Sequence, residues 1–472
     1  MRIQSSDFEN ECMLKSNPRG FRQWIIPSVA GSILVLMALC IFYLELQLEI
    51  ERKSAREEIR FVKQRPEAAH VDCARLYLND TEYMKELAKT RPALPSVSTI
   101  VLSCETIRNR FFPARNPDIN FPVLHARIVF QDYEFLEEQL ATNYASENVY
   151  CFSIDFKAPS IFHEQIHNLE RCLPNVFVSR DDLEFDSAGH NQNEAHLNCM
   201  KTVLHRNWEY AILMQNHDVI IKTHGEITEI LKIYGGANEI DVGQCPDHRC
   251  IESLEMNLGK LKLCPKSLNA TETKKCESSN ITWGKGAMQG MLSRAAVDYI
   301  FDEIDVVPLM KQMNDMGYGV DEQLYGSLQV TTEIRFPGAF HVKCRDNDSQ
   351  SITRLTNTRP AFYGMKKRLR SVVNWITNSP DNDCPSGRQR HASCIFGIED
   401  LPTLAAAKQV MANKILPNFD IAVTSCLSEL LFNRTRDGPN IDRRFYENIN
   451  KVRYHRDSSK PGFNIDEFKC EL

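Results

Sequence analysis

The sequence predicts an α/β fold built on a parallel sheet, preceded by an apolar N-terminal segment. Three observations carry that expectation. From Phe121 onward, short apolar runs of strand character alternate with amphipathic runs of helical period. The composition is that of an ordinary globular chain, 43% hydrophobic and 25% charged over 472 residues, which sets aside collagen, coiled coil and wholesale disorder. One uncharged run, Trp24 to Leu44, stands apart from the rest.

As a helix at about 1.5 Å per residue that run is expected to span roughly 31 Å, the thickness of a bilayer core. It begins too far from Met1 for a signal peptide and no small-residue cleavage site follows it, so the expectation is a transmembrane signal anchor. Arg19 and Arg22 precede it while Glu45 and Glu49 follow, which favours a cytoplasmic tail over residues 1–23. Farther out, Arg52, Lys53 and Arg56 cancel that bias. Fourteen of the sixteen cysteines follow the run, as do the sequons at Asn79, Asn269, Asn280, Asn347 and Asn433. A large body made in an oxidising compartment accounts for both, giving a type II membrane protein. The charged stretch after Glu45 and the prolines at 92, 95, 113 and 117 read as a stem over 45–120. The net charge of −6 opposes nucleic-acid binding, which asks for a basic face.

The body then follows in order. Pro122–Phe130 reads as a strand, and Asp132 caps a helix running to about Tyr144. Val149–Ile154 is a second strand ending at Asp155, and Pro159 opens a helix through Arg171. Val176–Val178 is a third strand. Leu197, Met200, Val203 and Leu204 mark one face of a helix over about 191–206, and Tyr210–Met214 is a fourth strand. Helical crossovers at this spacing imply parallel pairing. Ligands in such sheets bind beyond the carboxyl ends of the strands, which places Asp155 and Asn216-His217-Asp218 at a candidate site. Dinucleotide and P-loop glycine motifs are lacking.

His163-Glu164-Gln165-Ile166-His167 fits H-E-x-x-H, which on a helix brings two imidazoles to one face to hold zinc. The alternative is a solvated helix face beside the apolar stripe of Phe162, Ile166 and Leu169. Glu184, His190 and Glu194 are the available third ligands, and nothing selects one.

A distributed signal runs from Phe121 to Phe432. It comprises Tyr150-Cys151 with Ile154-Asp155, Arg171–Phe177, Leu197-Asn198-Cys199-Met200, and Asp218 with Ile221-Lys222-Thr223. Gly286 with Ser293-Arg294, Asp321–Leu324, Cys394–Gly397 with Asp400-Leu401, and Ala412-Asn413-Lys414 complete it. In order and spacing these blocks resemble the core-2/I-branching β-1,6-N-acetylglucosaminyltransferases, type II Golgi enzymes with xylosyltransferase relatives. The resemblance implies a Rossmann-like, nucleotide-sugar-binding fold of the GT-A type, with a catalytic domain over 121–435 and a C-terminal tail over 436–472.

The resemblance also implies roles. Glu322 matches the base that deprotonates the acceptor hydroxyl in an inverting displacement; read alone, it is also an ordinary acidic residue at a helix N-terminus. Asp155 matches the residue on the uridine side of a UDP-sugar donor, and is equally a turn-starting Asp. Lys414 matches the lysine, and Arg390 the arginine, that neutralise the leaving diphosphate without a metal cofactor; Arg388 and Arg390 also read as a solvated loop. Asp346-Asn347-Asp348 and Asp381-Asn382-Asp383 fit a metal-binding D-x-D but lie in polar, turn-like stretches. On the acceptor side Asp241, Arg249 and Trp375 are the matches. The chain departs from the family at Phe130 (a histidine there), His190 (a tryptophan) and Glu252 (an arginine).

By resemblance Cys73 pairs with Cys426, Cys104 with Cys172, Cys151 with Cys199 and Cys384 with Cys394. Cys245, Cys250, Cys264, Cys276, Cys344 and Cys470 have no counterpart, and extra bridges are expected among them. The expected activity is transfer of a sugar, N-acetylglucosamine first, from a UDP donor to an O-glycan or glycoprotein acceptor. Another UDP-sugar such as glucose or xylose, a carbohydrate-binding pseudoenzyme, and a zinc peptidase through His163 and His167 are the alternatives.

Overall fold

In the computed structural model, every residue of β1 (Val123–Val129), β2 (Val149–Ile154) and β4 (Tyr210–Met214) is buried. Their side chains still alternate between two faces, as the period of two requires. Val149 and Cys151 join Leu124, Ala126, Ala211 and Leu213 in one apolar core. Tyr150, Phe152 and Ile154 enter another with Val129, Val176 and Val178. Both faces are covered, which is why these strands read as nearly continuous apolar runs. The structure describes residues 37, 39, 41–45, 47, 65–95, 102–110, 121–246, 250, 254–347, 351–356, 384–390 and 393–470.

The central sheet has six strands in the order β3-β2-β1-β4-β9-β6, with β3 at Val176–Val178, β6 at Glu239–Ile240 and β9 at Gly290–Ser293. β3, β2, β1 and β4 are parallel, joined by helices Tyr133–Thr142, Ser160–Cys172 and Gln192–Thr202. The alternation seen in the sequence is therefore present with these pairings. The sheet is mixed, however: β9 runs antiparallel to both β4 and β6. Small pairings decorate it. β7 (Gly243–Gln244) pairs with β8 (Gly284–Lys285), and β11 (Gln389–Arg390) with β12 (Ser393–Cys394). β13 (Met411–Ala412) lies between β10 (Arg354–Leu355) and β5 (Val219–Ile220).

The chain divides into two units, residues 1–63 and 64–472. In the first, Ile41, Phe42, Tyr43 and Leu44 are helical and exposed. Among the described residues no helix is long and apolar enough to cross a membrane, and most of Trp24–Leu44 lies outside them.

Within the second unit, segments that read as stem and tail take part in the core. Ala68, Val71, Leu76, Met84, Leu87 and Leu94 pack with the helices over 133–142 and 160–172. Tyr446, Ile449 and Val452 pack against β4 and the helix His224–Tyr234. Short apolar patterns broken by prolines hide this, because burial here is supplied by distant elements. Seven disulfides staple the unit. Cys73–Cys426, Cys104–Cys172, Cys151–Cys199 and Cys384–Cys394 are the pairs the resemblance implied. Cys245–Cys250, Cys264–Cys276 and Cys344–Cys470 use the remaining six. Of the sequon asparagines, Asn79, Asn269 and Asn280 are exposed, and Asn433 is half-buried within the helix Ala422–Asp437.

Candidate active site

The parallel strands deliver their carboxyl ends to one cleft of about 270 Å³, near the lower bound of small-ligand sites. Phe130 follows β1, Asp155 follows β2, and Gln215, Asn216 and His217 follow β4; all line it. Asn216 holds the rim together, its side-chain oxygen accepting from the backbone N–H of Phe130 at 2.8 Å and of Gln131 at 3.2 Å. Asp155 is buried, and its Oδ1 accepts from the N–H of Lys157 and of Phe185, both at 3.2 Å. The turn-forming and cleft-lining readings of Asp155 therefore hold together: one oxygen shapes the loop that carries Phe185 and Asp186 into the wall.

Cations come from the C-terminal half. β13 pairs antiparallel with β5 and hands Asn413 and Lys414 to the cleft. Asn413 is fixed by Asp218, whose buried carboxylate accepts its Nδ2–H at 2.7 Å, the Gln215 N–H at 2.6 Å and the Gln289 side chain. Arg390, exposed on the β11–β12 hairpin tied by Cys384–Cys394, lines the same cleft. The Lys414 ammonium is pushed to lower pKa by burial and by the Arg390 charge, while Asp218 opposes the shift. His217, also lowered by burial, keeps its Nε2 at 2.8 Å from Asp132. Phe130 packs against that imidazole edge-to-face at 5.8 Å, lining the cleft rather than filling it.

Asp321 forms the remaining wall. It sits on a 3₁₀ turn, Val320–Glu322, where burial and then the neighbouring Glu322 charge push its carboxyl up to about 7. Gly189, at φ +97°, makes this possible: a Cβ there would lie 2.1 Å from Asp321 Oδ1. The next residue, Glu322, pairs with Lys285 of β8 at 2.8 Å, and its carbonyl accepts from the Gly286 N–H at 2.9 Å. Asp241 meets the same hairpin, accepting from the Ala287 N–H at 3.3 Å. Gly286 admits this approach, since a Cβ there would stand 1.6 Å from the Asp241 carbonyl oxygen.

The structure thus brings Asp155, Arg390 and Lys414 into one cleft with Asp321, and joins Glu322 and Asp241 through the strand that carries Lys285. Arg249, Glu252, Trp375 and Asp381–Asp383 lie outside the described residues. Two cations escaped the sequence reading. Lys285 had only its neighbour Gly286 as a signal. Arg354, on β10 beside β13, acts electrostatically on both Asp321 and Lys414, and nothing in its local sequence marks it.

The H-E-x-x-H helix, Ser160–Cys172, buries Phe162, Ile166 and Leu169. Its His167 Nδ1 stands 3.3 Å from Glu170 and 3.1 Å from Arg180, and His190, one proposed third ligand, is bonded to Asp186. Among the described residues no three His, Cys, Asp or Glu side chains are grouped to hold a metal ion. The geometry favours the solvated helix face.

The family model described as core-2/I-branching enzyme matches residues 125–405, more than half of the chain. The chain is 26% identical over 321 residues to a rat β-1,3-galactosyl-O-glycosyl-glycoprotein β-1,6-N-acetylglucosaminyltransferase 3, covering 68% of this chain and 70% of that protein. The corresponding Bos taurus protein is 26% identical over 383 residues, 78% and 83% of the two chains. A bovine herpesvirus 4 (strain LVR140) protein whose name gives the same transferase activity is 27% identical over 356 residues, 73% and 77%. With the sheet, the cleft and the match over most of its body, this chain belongs to the core-2/I-branching enzyme family and is a glycosyltransferase.

Proposed function

We propose that the protein transfers N-acetylglucosamine from UDP-N-acetylglucosamine, in β-1,6 linkage, to an O-glycan of a glycoprotein. The observation that carries this reading is the convergence of Asp155, Arg390 and Lys414 on one cleft walled by Asp321, with Glu322 the next residue. The named activities of the relatives support the donor and linkage.

In the proposed reaction the acceptor 6-hydroxyl oxygen attacks the anomeric carbon and Glu322 takes its proton. The bond from that carbon to the diphosphate oxygen breaks, and UDP leaves with the bonding electrons. Lys285 orients the Glu322 carboxylate. Lys414 and Arg390, with Arg354 acting electrostatically on Lys414, neutralise the charge that develops on the diphosphate, so that no metal ion is required. Asp155 receives the nucleotide end of the donor and Asp241 the acceptor; Arg249 and Trp375, outside the described residues, are assigned to the acceptor by resemblance.

The anchor belongs to this reading too. Trp24–Leu44 is long and uncharged enough to span a bilayer, and the exposed apolar side chains of Ile41–Leu44 need a non-aqueous cover. Seven disulfides and the exposed sequons support a luminal body, hence a single-pass type II protein of the Golgi.

The test is transfer by the full-length protein in detergent over a panel of UDP-sugars and mucin-type acceptors, with EDTA present and Glu322→Gln as control. Transfer from UDP-N-acetylglucosamine that survives EDTA and vanishes in the control supports the reading. Preference for another UDP-sugar reassigns the donor. Donor binding without transfer makes the protein a carbohydrate-binding relative.

A further inference from the structure

His190 joins two segments that the candidate site depends on, and both its ring nitrogens face groups that only accept. Nδ1 lies 2.6 Å from Asp186 Oδ2 and Nε2 lies 2.9 Å from the carbonyl oxygen of Met316. A carbonyl has no hydrogen to offer, so Nε2 carries one. An ionised carboxylate has none either, and Asp186 is held below the usual carboxylate range by its hydrogen bonds from His190 and the 186–190 turn. Both contacts are made together only when the ring is an imidazolium.

The segments joined are the loop of residues 186–191 and the turn of residues 314–321. The first supplies Asp186 and Ser187 to the cleft; the second ends at Asp321, with Glu322 the next residue. Around the imidazole they are knitted by a short set of bonds. The N–H groups of Gly319 and Val320 donate to the Ala188 carbonyl at 2.6 and 3.1 Å. Asn191 and Asn314 exchange two bonds, at 3.0 and 2.9 Å. Gly189, one residue before His190, is the position whose missing Cβ admits Asp321. A shift of this loop therefore moves the Asp321 carboxylate directly, and Glu322 with it.

We propose that His190 is a proton-operated positioning residue: as an imidazolium it clips the 186–191 loop to the 314–321 turn and so sets the placement of Asp321 and Glu322 beside the cleft. The inference rests on Glu322 being the base, as proposed above. Among the described residues two charged groups act on the ring, Asp186 from its own loop and Asp321 from the turn. The hydrogen bonds to Asp186 and to the Met316 carbonyl, then the Asp186 charge, raise its pKa above the ordinary histidine value of about 6.5; Asp321, itself raised to about 7, adds to this only as it ionises. The clip is complete at low pH and loses one of its two bonds as pH rises through this raised pKa. His190 touches neither donor nor acceptor in this scheme; it acts through the carboxylates.

The experiment uses full-length protein labelled with ¹⁵N at histidine, in detergent micelles, titrated from about pH 5 to 9. His190→Gln assigns the resonance by its disappearance, and thermal melts establish that each variant is folded. The expected result is a His190 ring protonated at both nitrogens at pH 6, with a midpoint above that of an exposed histidine. In transfer assays the wild type should lose kcat as this group deprotonates. His190→Gln should fall about tenfold in kcat at pH 6, less than the ~100-fold that a full 1 Å misplacement costs, with the donor KM little changed and the pH limb gone. Asp186→Asn should move the limb to lower pH, a shift that a purely structural role would not produce. A neutral His190 at pH 6, or a His190→Gln enzyme with the wild-type pH limb and kcat, overturns the inference while the function stands. A wild type that transfers no sugar overturns the function and the positioning role together.

Discussion

The Glu322 carboxylate stands 2.8 Å from the Lys285 ammonium, across the strand that also carries Gly286 to the Asp241 carbonyl. This one ion pair joins the residue that follows Asp321 of the cleft wall to the hairpin that Asp241 also meets, and it orients a carboxylate that is about one-third exposed. Removing the base while keeping the shape should therefore separate binding from chemistry. Glu322→Gln is expected to lower kcat by about 10²–10⁴-fold, the range for loss of a general base, with UDP affinity nearly unchanged by calorimetry. Lys285→Met should cost less, because it frees the carboxylate without removing it. An unchanged kcat in Glu322→Gln would move the base to another residue.

Lys414 and Arg390 line the same cleft from different elements, one after β13 and one on the β11–β12 hairpin. Each is expected to stabilise charge that appears as the diphosphate leaves. Lys414→Ala and Arg390→Ala should each lower kcat by about 10²–10³-fold, as loss of one preorganised charge partner does. Arg354→Ala should have a smaller effect of the same sign, since Arg354 acts on Lys414 and Asp321 from beside β13. Activity lost to EDTA in the wild type would contradict the cationic design.

Gly286 is the position where the backbone approach is tightest. Its Cβ would lie 1.6 Å from the Asp241 oxygen, so Gly286→Ala must displace the β7–β8 hairpin rather than a flexible side chain. A loss of about 2 kcal/mol or more is expected, with transfer falling because Lys285 moves with the hairpin. Thermal denaturation alongside the transfer assay measures both. Full stability in this variant would mean the hairpin has room to shift.

The buried Asp321 carboxyl, pushed up to about 7, binds a proton more tightly in the fold than in the unfolded chain. Its contribution to stability is complete below the unfolded value near pH 4 and is lost as pH rises toward 7. Asp400 and Asp420, raised to about 7 and about 6 by burial, add to the same slope. Asp321→Asn should therefore melt at a higher temperature than the wild type at pH 8, the difference closing by about pH 4. Identical melting curves at pH 8 would contradict the buried, proton-holding carboxyl.

The order of elements through β4 was legible because alternation and helical period are local properties of the chain. Strands 149–154, 176–178 and 210–214 have the bounds their apolar runs define, and helix ends differ from the expected ones by a few residues. Asp155 and the Asn216–Asp218 run were readable from a topological rule, the ligand position beyond parallel strand ends. Lys414, Arg390, Glu322 and four of the disulfides were readable only through likeness to a family.

What the sequence by itself determined is the chemistry available and the local periodicity that shapes it: a parallel α/β core, carboxylates at strand ends, cysteines suited to an oxidising compartment. Tertiary structure decided the partners. Whether β9 adds antiparallel, which of six cysteines meet, that Lys285 reaches Glu322, and that His190 bridges Asp186 to Met316 all depend on chain segments up to 126 residues apart. Such contacts leave no periodic trace, because each is selected by the packing of whole elements rather than by the residues flanking it.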